Sequence, residues 1–121
     1  MNEAASTGQS TSTSNSDTTK VSLSISTVSN SRVLIAYAFE IAHSDTSNKS
    51  CIASVVGSNV SFVGSRSESN RSTAFQLFHG NILDKGSHTG TRTYSITFRR
   101  STSGGSVRIR NAYLTAIEMS V

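Results

Sequence analysis

The chain has 121 residues, a formal net charge of +4, one cysteine, no proline and no tryptophan. That length suits a single domain, one cysteine excludes an internal disulfide, and no stretch reaches the roughly 18 apolar residues of a membrane span. The positive excess is scattered and lacks the gathered basic face of a phosphate-binding surface, so neither nucleic acid nor a membrane is an expected partner.

Ser and Thr make up about a third of the residues. Thr suits strands, and Ser suits turns and short loops, while Leu, Glu, Lys and Gln are too scarce for long helices. Residues 1–19 begin without the basic start and apolar run of a signal peptide, so synthesis in a cytoplasm is expected. The run Ser10-Thr11-Ser12-Thr13-Ser14-Asn15-Ser16 has nothing apolar to bury and cannot offset its own ordering entropy. Residues 1–19 are therefore predicted to be a flexible arm, and residues 20–121 the folded domain. Deleting the arm is expected to leave the domain folded.

From Lys20 the pattern changes. Val21, Leu23 and Ile25 alternate with Ser22, Ser24 and Ser26, the period of a half-buried strand. Ser29-Asn30-Ser31 reads as a turn. In the run 32–42, Val33, Ile35, Tyr37, Phe39 and Ile41 share one face, and Leu34, Ala36, Ala38 and Glu40 share the other, as in a central strand. Residues 43–50 read as a loop. Short strands are predicted over 51–56 and 60–63, with a charged loop over 65–70. Alternation resumes over 73–79. Residues 80–90 read as a loop. Arg92, Tyr94, Ile96 and Phe98 then mark a strand that leads through Ser101-Thr102-Ser103-Gly104-Gly105 into the last one. There Val107 and Ile109 share a face, and Tyr113, Thr115, Ile117, Met119 and Val121 are predicted to continue it. Asn111 interrupts that face, so a bend or the sheet's edge is expected there. The sum is an all-β fold, an antiparallel β-sandwich of jelly-roll type with seven to eight strands.

The inventory for catalysis is thin. Glu3 and Asp17 lie in the arm, Asp45, Glu68 and Asp84 fall in predicted loops, and no spacing selects a carboxylate pair. His43, His79 and His88 lack metal-ligand spacing. There is no Gly-x-Ser-x-Gly elbow and no phosphate loop. No catalytic residue, cofactor or metal is assigned, and the expectation is a non-enzymatic protein. Cys51, beside Ile52 and near Val55 and Val56, reads as a buried small hydrophobe. The sequons at Asn48, Asn59 and Asn70 are about what chance supplies in so Ser/Thr-rich a chain. The aromatics, Tyr113 among them, all fall in predicted strands and read as core.

The most distinctive segment is the last third. Thr91-Arg92-Thr93-Tyr94-Ser95-Ile96-Thr97-Phe98-Arg99-Arg100 leads through the Ser/Gly turn to Val107-Arg108-Ile109-Arg110-Asn111-Ala112-Tyr113-Leu114-Thr115-Ala116-Ile117-Glu118. This resembles the C-terminal hairpin of small β-sandwich domains in tailed-phage virion proteins. The resemblance implies a capsid decoration or cement subunit on the outer surface of a phage head, often a homotrimer, with the major capsid protein or another virion protein as partner. The family brings no catalytic residues. Arg99, Arg100, Arg108 and Arg110 are the candidate interface toward an acidic capsid. The alternative reading is a glycan- or receptor-binding module of a fibre or tail appendage.

Overall fold

The structure is a computed structural model and describes residues 1–44, 50–57, 64–70, 74–101 and 104–119. Seven strands run in the order β1 (Asn2–Ser6), β2 (Ser10–Ser12), β3 (Thr18–His43), β4 (Ser50–Gly57), β5 (Gly64–Asn70), β6 (Gln76–Arg100) and β7 (Val107–Met119), with no helix among the described residues. All pairings are antiparallel. The hydrogen-bonded order is β1-β7-β3-β6-β4-β5, with β2 also on β7.

Two strands are far longer than a typical strand of about five or six residues. β3 and β6 pair along nearly their whole lengths, but their register breaks midway. Thr27 to Ser31 on β3 spans only Gly90 to His88 on β6, and Ser31 to Val33 then spans His88 to Asp84. Such bulges bend a strand pair sharply. The two long strands therefore cross from one layer of a sandwich to the other. The first layer holds β1 and β2, then β7, then residues 31–43 of β3 and 76–84 of β6. The second holds residues 18–27 of β3, residues 90–100 of β6, then β4 and β5. Counting the two halves of each long strand apart, and β1 with β2 as one interrupted edge, gives eight strands in two antiparallel sheets. The expected sandwich is present.

The alternation read from the sequence sets the core. Val21, Leu23 and Ile25 face Val33, Ile35, Phe39 and Ile41 across it, joined by Cys51, Ala53 and Val55 from β4 and Tyr94, Ile96 and Phe98 from β6. Cys51 is fully buried, as expected. Serines on the opposite face of β3 are exposed and pair with β6, Ser22 with Ser95 at 2.7 Å and Ser24 with Thr93 at 2.9 Å.

Four expectations need correction. Ser29-Asn30-Ser31 is the inter-layer bend within β3 and not a turn between strands. Residues 80–90 continue β6, because Gly90 sits at φ 90° and lets the strand bend without ending. Residues 65–70 are edge strand β5, whose pairing to β4 needs no apolar alternation. The strand predicted over 60–63, and the loop over 45–49, lie outside the described residues.

The fourth concerns residues 1–19. Asn2 to Ser6 pair with Ala116 to Ala112, Ser10 to Ser12 pair with Ile109 to Val107, and Thr18 already belongs to β3. The segment finds order because main-chain pairing needs no apolar side chain. Its side chains also bridge the two layers. The Asn2 amide donates to the Ser24 carbonyl at 2.7 Å, and the Lys20 ammonium donates to the Gly8 carbonyl and to Ser10 Oγ. Deleting residues 1–12 is thus expected to cost on the order of 2 kcal/mol, from lost sheet hydrogen bonds and the uncovered β7 edge. Urea unfolding measures it. An unchanged midpoint would show that the segment adds nothing to the domain.

Candidate functional site

Asn111 decides which residues of β7 reach solvent. It is the one described non-glycine residue at positive φ, 50°, in the left-handed region that Asn tolerates better than most. On β3 the register moves from Ala38 to Glu40, while on β7 it moves from Tyr113 to Arg110. β7 carries one extra residue there, and a one-residue insertion swaps the faces. Before it Val107 and Ile109 point inward. After it Ala112, Leu114 and Ala116 do, while Tyr113, Ile117 and Met119 are exposed. The inward face predicted through Tyr113, Thr115, Ile117 and Met119 is corrected accordingly, and Val121 lies outside the described residues. The bend expected at Asn111 is present.

This flip builds a surface. Paired residues project on the same side of a sheet, so the register orders the outer face of the first layer in rows. One row reads Ala5, Tyr113, Ala38, His79, and the next Glu3, Thr115, Ala36, Asn81. Neighbouring strands lie about 4.8 Å apart, so each row spans about 14 Å. Tyr113, 46% exposed, stands between two alanines. On its β1 side is an open groove of about 440 Å³ lined by Glu3, Ala4, Ala5, Tyr113, Leu114 and Thr115. On its β3 side, Ala36 and Ala38 form a low floor between the Tyr113–Thr115 ridge and the exposed His79 and Asn81.

One end of this floor is closed by charge. Arg110 Nη2 donates to Glu40 Oε1 at 3.1 Å, and the Asn111 amide donates to Glu40 Oε2. The Asn111 hydrogen bond, the largest influence, holds the Glu40 carboxyl below its ordinary range; burial opposes it, and Arg110 adds to the lowering. The Arg110 guanidinium lies 3.8 Å from the Phe75 ring centroid, with Arg108 at 5.3 Å. At the other end Leu34 is flanked by Ile117 and Leu83.

The four arginines named as a candidate interface fall on two strands, Arg99 and Arg100 on β6 and Arg108 and Arg110 on β7. Arg108 and Arg110 lie on the outer face of the first layer, and Arg108 also donates to the His43 carbonyl at 3.3 Å. Arg99 pairs with Asp17 at 3.4 Å, while Arg100 donates to Asn15 Oδ1 at 3.1 Å and to the Gly105 carbonyl at 2.9 Å. That second pair fastens the entry into β3. The two pairs sit on strands of different layers.

Asp84, predicted in a solvated loop, is buried at the inter-layer bend. It accepts the Tyr94 hydroxyl and lies 3.7 Å from Arg92 Nη1, and Arg92 Nη2 donates to the Ser31 carbonyl at 3.0 Å. Burial first, and then the Asp84 carboxylate, push the Tyr94 hydroxyl well above the ordinary tyrosine range. Unfolded, Tyr94 loses its proton near pH 10, while folded it keeps it. Stability from this group is therefore full below about pH 10 and falls above it by up to about 1.4 kcal/mol per pH unit. Tyr94→Phe should flatten this alkaline limb in urea unfolding at stepped pH. An identical slope in the variant would assign the loss to other groups.

His43 is buried and His79 is exposed, while the side chain of His88 lies outside the described residues. Among the described residues no three His, Cys, Asp or Glu side chains converge on a common point.

No protein-family model matches the chain. No curated protein matches it in sequence. Solved structures do match in shape. The arabinose-bound α-L-arabinofuranosidase MgGH51 aligns with a TM-score of 0.52 at 10% identity, over 94% of this chain and 23% of that one. A cyclase from Fischerella sp. TAU, in complex with 4-(1H-indol-3-yl)butan-2-one, aligns at 0.50 and 8% identity, over 84% and 57%. TmCBM61 in complex with β-1,4-galactotriose aligns at 0.49 and 12% identity, over 78% and 60%. The chain spans less than two thirds of each. What the first two likenesses establish is the fold, an antiparallel β-sandwich.

Proposed function

We propose that the domain is a non-catalytic saccharide-binding module whose site is the outer face of the first layer around Tyr113. The observation that carries this reading is the placement of Tyr113. Its ring is exposed between Ala5 and Ala38, with His79, Asn81, Thr115 and Glu3 in the same and the adjoining row. A sugar ring offers an apolar C–H face ringed by hydroxyls that donate and accept. An aromatic ring supplies the stacking surface, and His, Asn, Thr and Glu supply both kinds of hydrogen-bond partner. The alanine floor leaves room for a chain of sugars beside the ring, as a concave site with few polar groups requires.

The capsid-decoration reading rests on the resemblance of residues 91–118 to the hairpin of phage virion domains, with the four arginines as its candidate interface. All four have partners within the chain, and the exposed Tyr113 surface favours the saccharide reading. Affinity electrophoresis through gels holding a panel of neutral and acidic polysaccharides tests it. At least one polysaccharide should retard the domain. Tyr113→Ala should weaken that binding about tenfold or more, equivalent to about 1.4 kcal/mol. It should leave stability within the roughly 0.5 kcal/mol usual for surface changes. Migration unaffected by every polysaccharide, or full binding by Tyr113→Ala, would contradict the proposal.

A further inference from the structure

The N-terminal edge of the first layer is held in an unusual way. Among residues 1–17 only Ala4 packs against the core. Residues 1–12 are otherwise held by main-chain pairing to β7 and polar ties to Ser24 and Lys20, while Ser14, Asn15 and Asp17 are tied to Arg100 and Arg99 of β6. The segment joins β3 through residues 13–17, all exposed except the half-buried Ser14. Five extended residues reach up to about 17 Å.

We propose that the β7 edge takes its N-terminal strands from a second copy of the chain, by reciprocal exchange of residues 1–12 about a hinge at 13–17. Each pairing that β1 and β2 make within one chain can be remade between two chains, because the recipient edge is the same β7. Main-chain pairing and polar ties carry little apolar surface through the open intermediate, which keeps that step accessible. The product is a closed two-fold dimer, the low-cost route that strand exchange offers, and opening the hinge gives up the polar ties of Ser14, Asn15 and Asp17 to Arg100 and Arg99. The dimer presents two Tyr113 surfaces, though the exchange does not depend on what they bind.

The experiment uses the full chain and two cysteine positions. Glu3 and Thr115 lie opposite each other on the outer face, and the native Cys51 is fully buried and out of reach. Size-exclusion chromatography with light scattering should show a dimer fraction that rises with concentration. Glu3→Cys and Thr115→Cys chains, mixed at high concentration and treated with a short bifunctional maleimide, should give a covalent heterodimer. The double variant Glu3→Cys/Thr115→Cys, cross-linked within single chains at high dilution, should then stay monomeric after concentration. A wild-type chain that is monomeric throughout would overturn the proposal. So would mixed single variants that never cross-link, or a closed double variant that dimerises as readily as wild type.

Discussion

Asp84→Ala is expected to destabilise the fold by about 3–5 kcal/mol, the range for breaking a buried ion pair by removing one partner. The substitution leaves the Arg92 charge at the inter-layer bend without its carboxylate and removes the acceptor of the Tyr94 hydroxyl. Arg92 is 1% exposed, so water does not take over. The loss should exceed that of the paired replacement Asp84→Leu/Arg92→Met, which removes both charges together. Urea unfolding of the three proteins measures this. If the single and double variants lose equal stability, the penalty comes from lost packing, and the charge argument fails.

Phe39→Ala is expected to cost a similar amount, about 3–5 kcal/mol. Phe39 is fully buried on the central strand of the first layer. Its ring lies 6.0 Å from Tyr37 and 5.8 Å from Phe78, centroid to centroid. Removing it opens a cavity between β3 and β6 that two aromatic neighbours cannot both collapse into. A loss below about 0.5 kcal/mol would place this face of β3 at the surface, contrary to the layer assignment.

The inward faces of β3 and of the second half of β6 were legible because alternation is a period-two signal that needs no tertiary information. Val21, Leu23, Ile25, Val33, Ile35, Phe39, Ile41, Tyr94, Ile96 and Phe98 are all buried as that period requires. The joining of short predicted strands into two long ones was not legible. Ser29-Asn30-Ser31 carries turn chemistry, and a bulge that passes a strand from one layer to the other uses the same residue types as a turn. Asp84 escaped for the same reason: it sits in a segment read as loop, and its partner Arg92 is brought beside it only by the bend. Residues 1–12 were read by side-chain burial, whereas main-chain pairing holds them.

The candidate site was legible only in part. Alternation puts Leu34, Ala36 and Ala38 together on the face of β3 opposite Val33, Ile35 and Phe39, but it assigns Tyr113 to the core. The signal that places it outside was present in Asn111, a polar residue inside an otherwise regular strand. Reading that interruption as an inserted residue, and not as a flaw in one continuous face, reverses every side chain after it. That single step brings Tyr113 and Thr115 onto the face that already holds Ala36 and Ala38.

Chemical-shift perturbation tests this account most directly. The amide and side-chain resonances of the ¹⁵N-labelled domain would be followed while oligosaccharides are titrated in, drawn from whichever polysaccharide retards the protein. The predicted shifts concentrate at Ala5, Ala36, Ala38, His79, Asn81, Tyr113 and Thr115, and leave the serine face of the second layer unchanged. Shifts centred on that serine face, or none with any ligand, would contradict the assignment of the Tyr113 surface as the binding site.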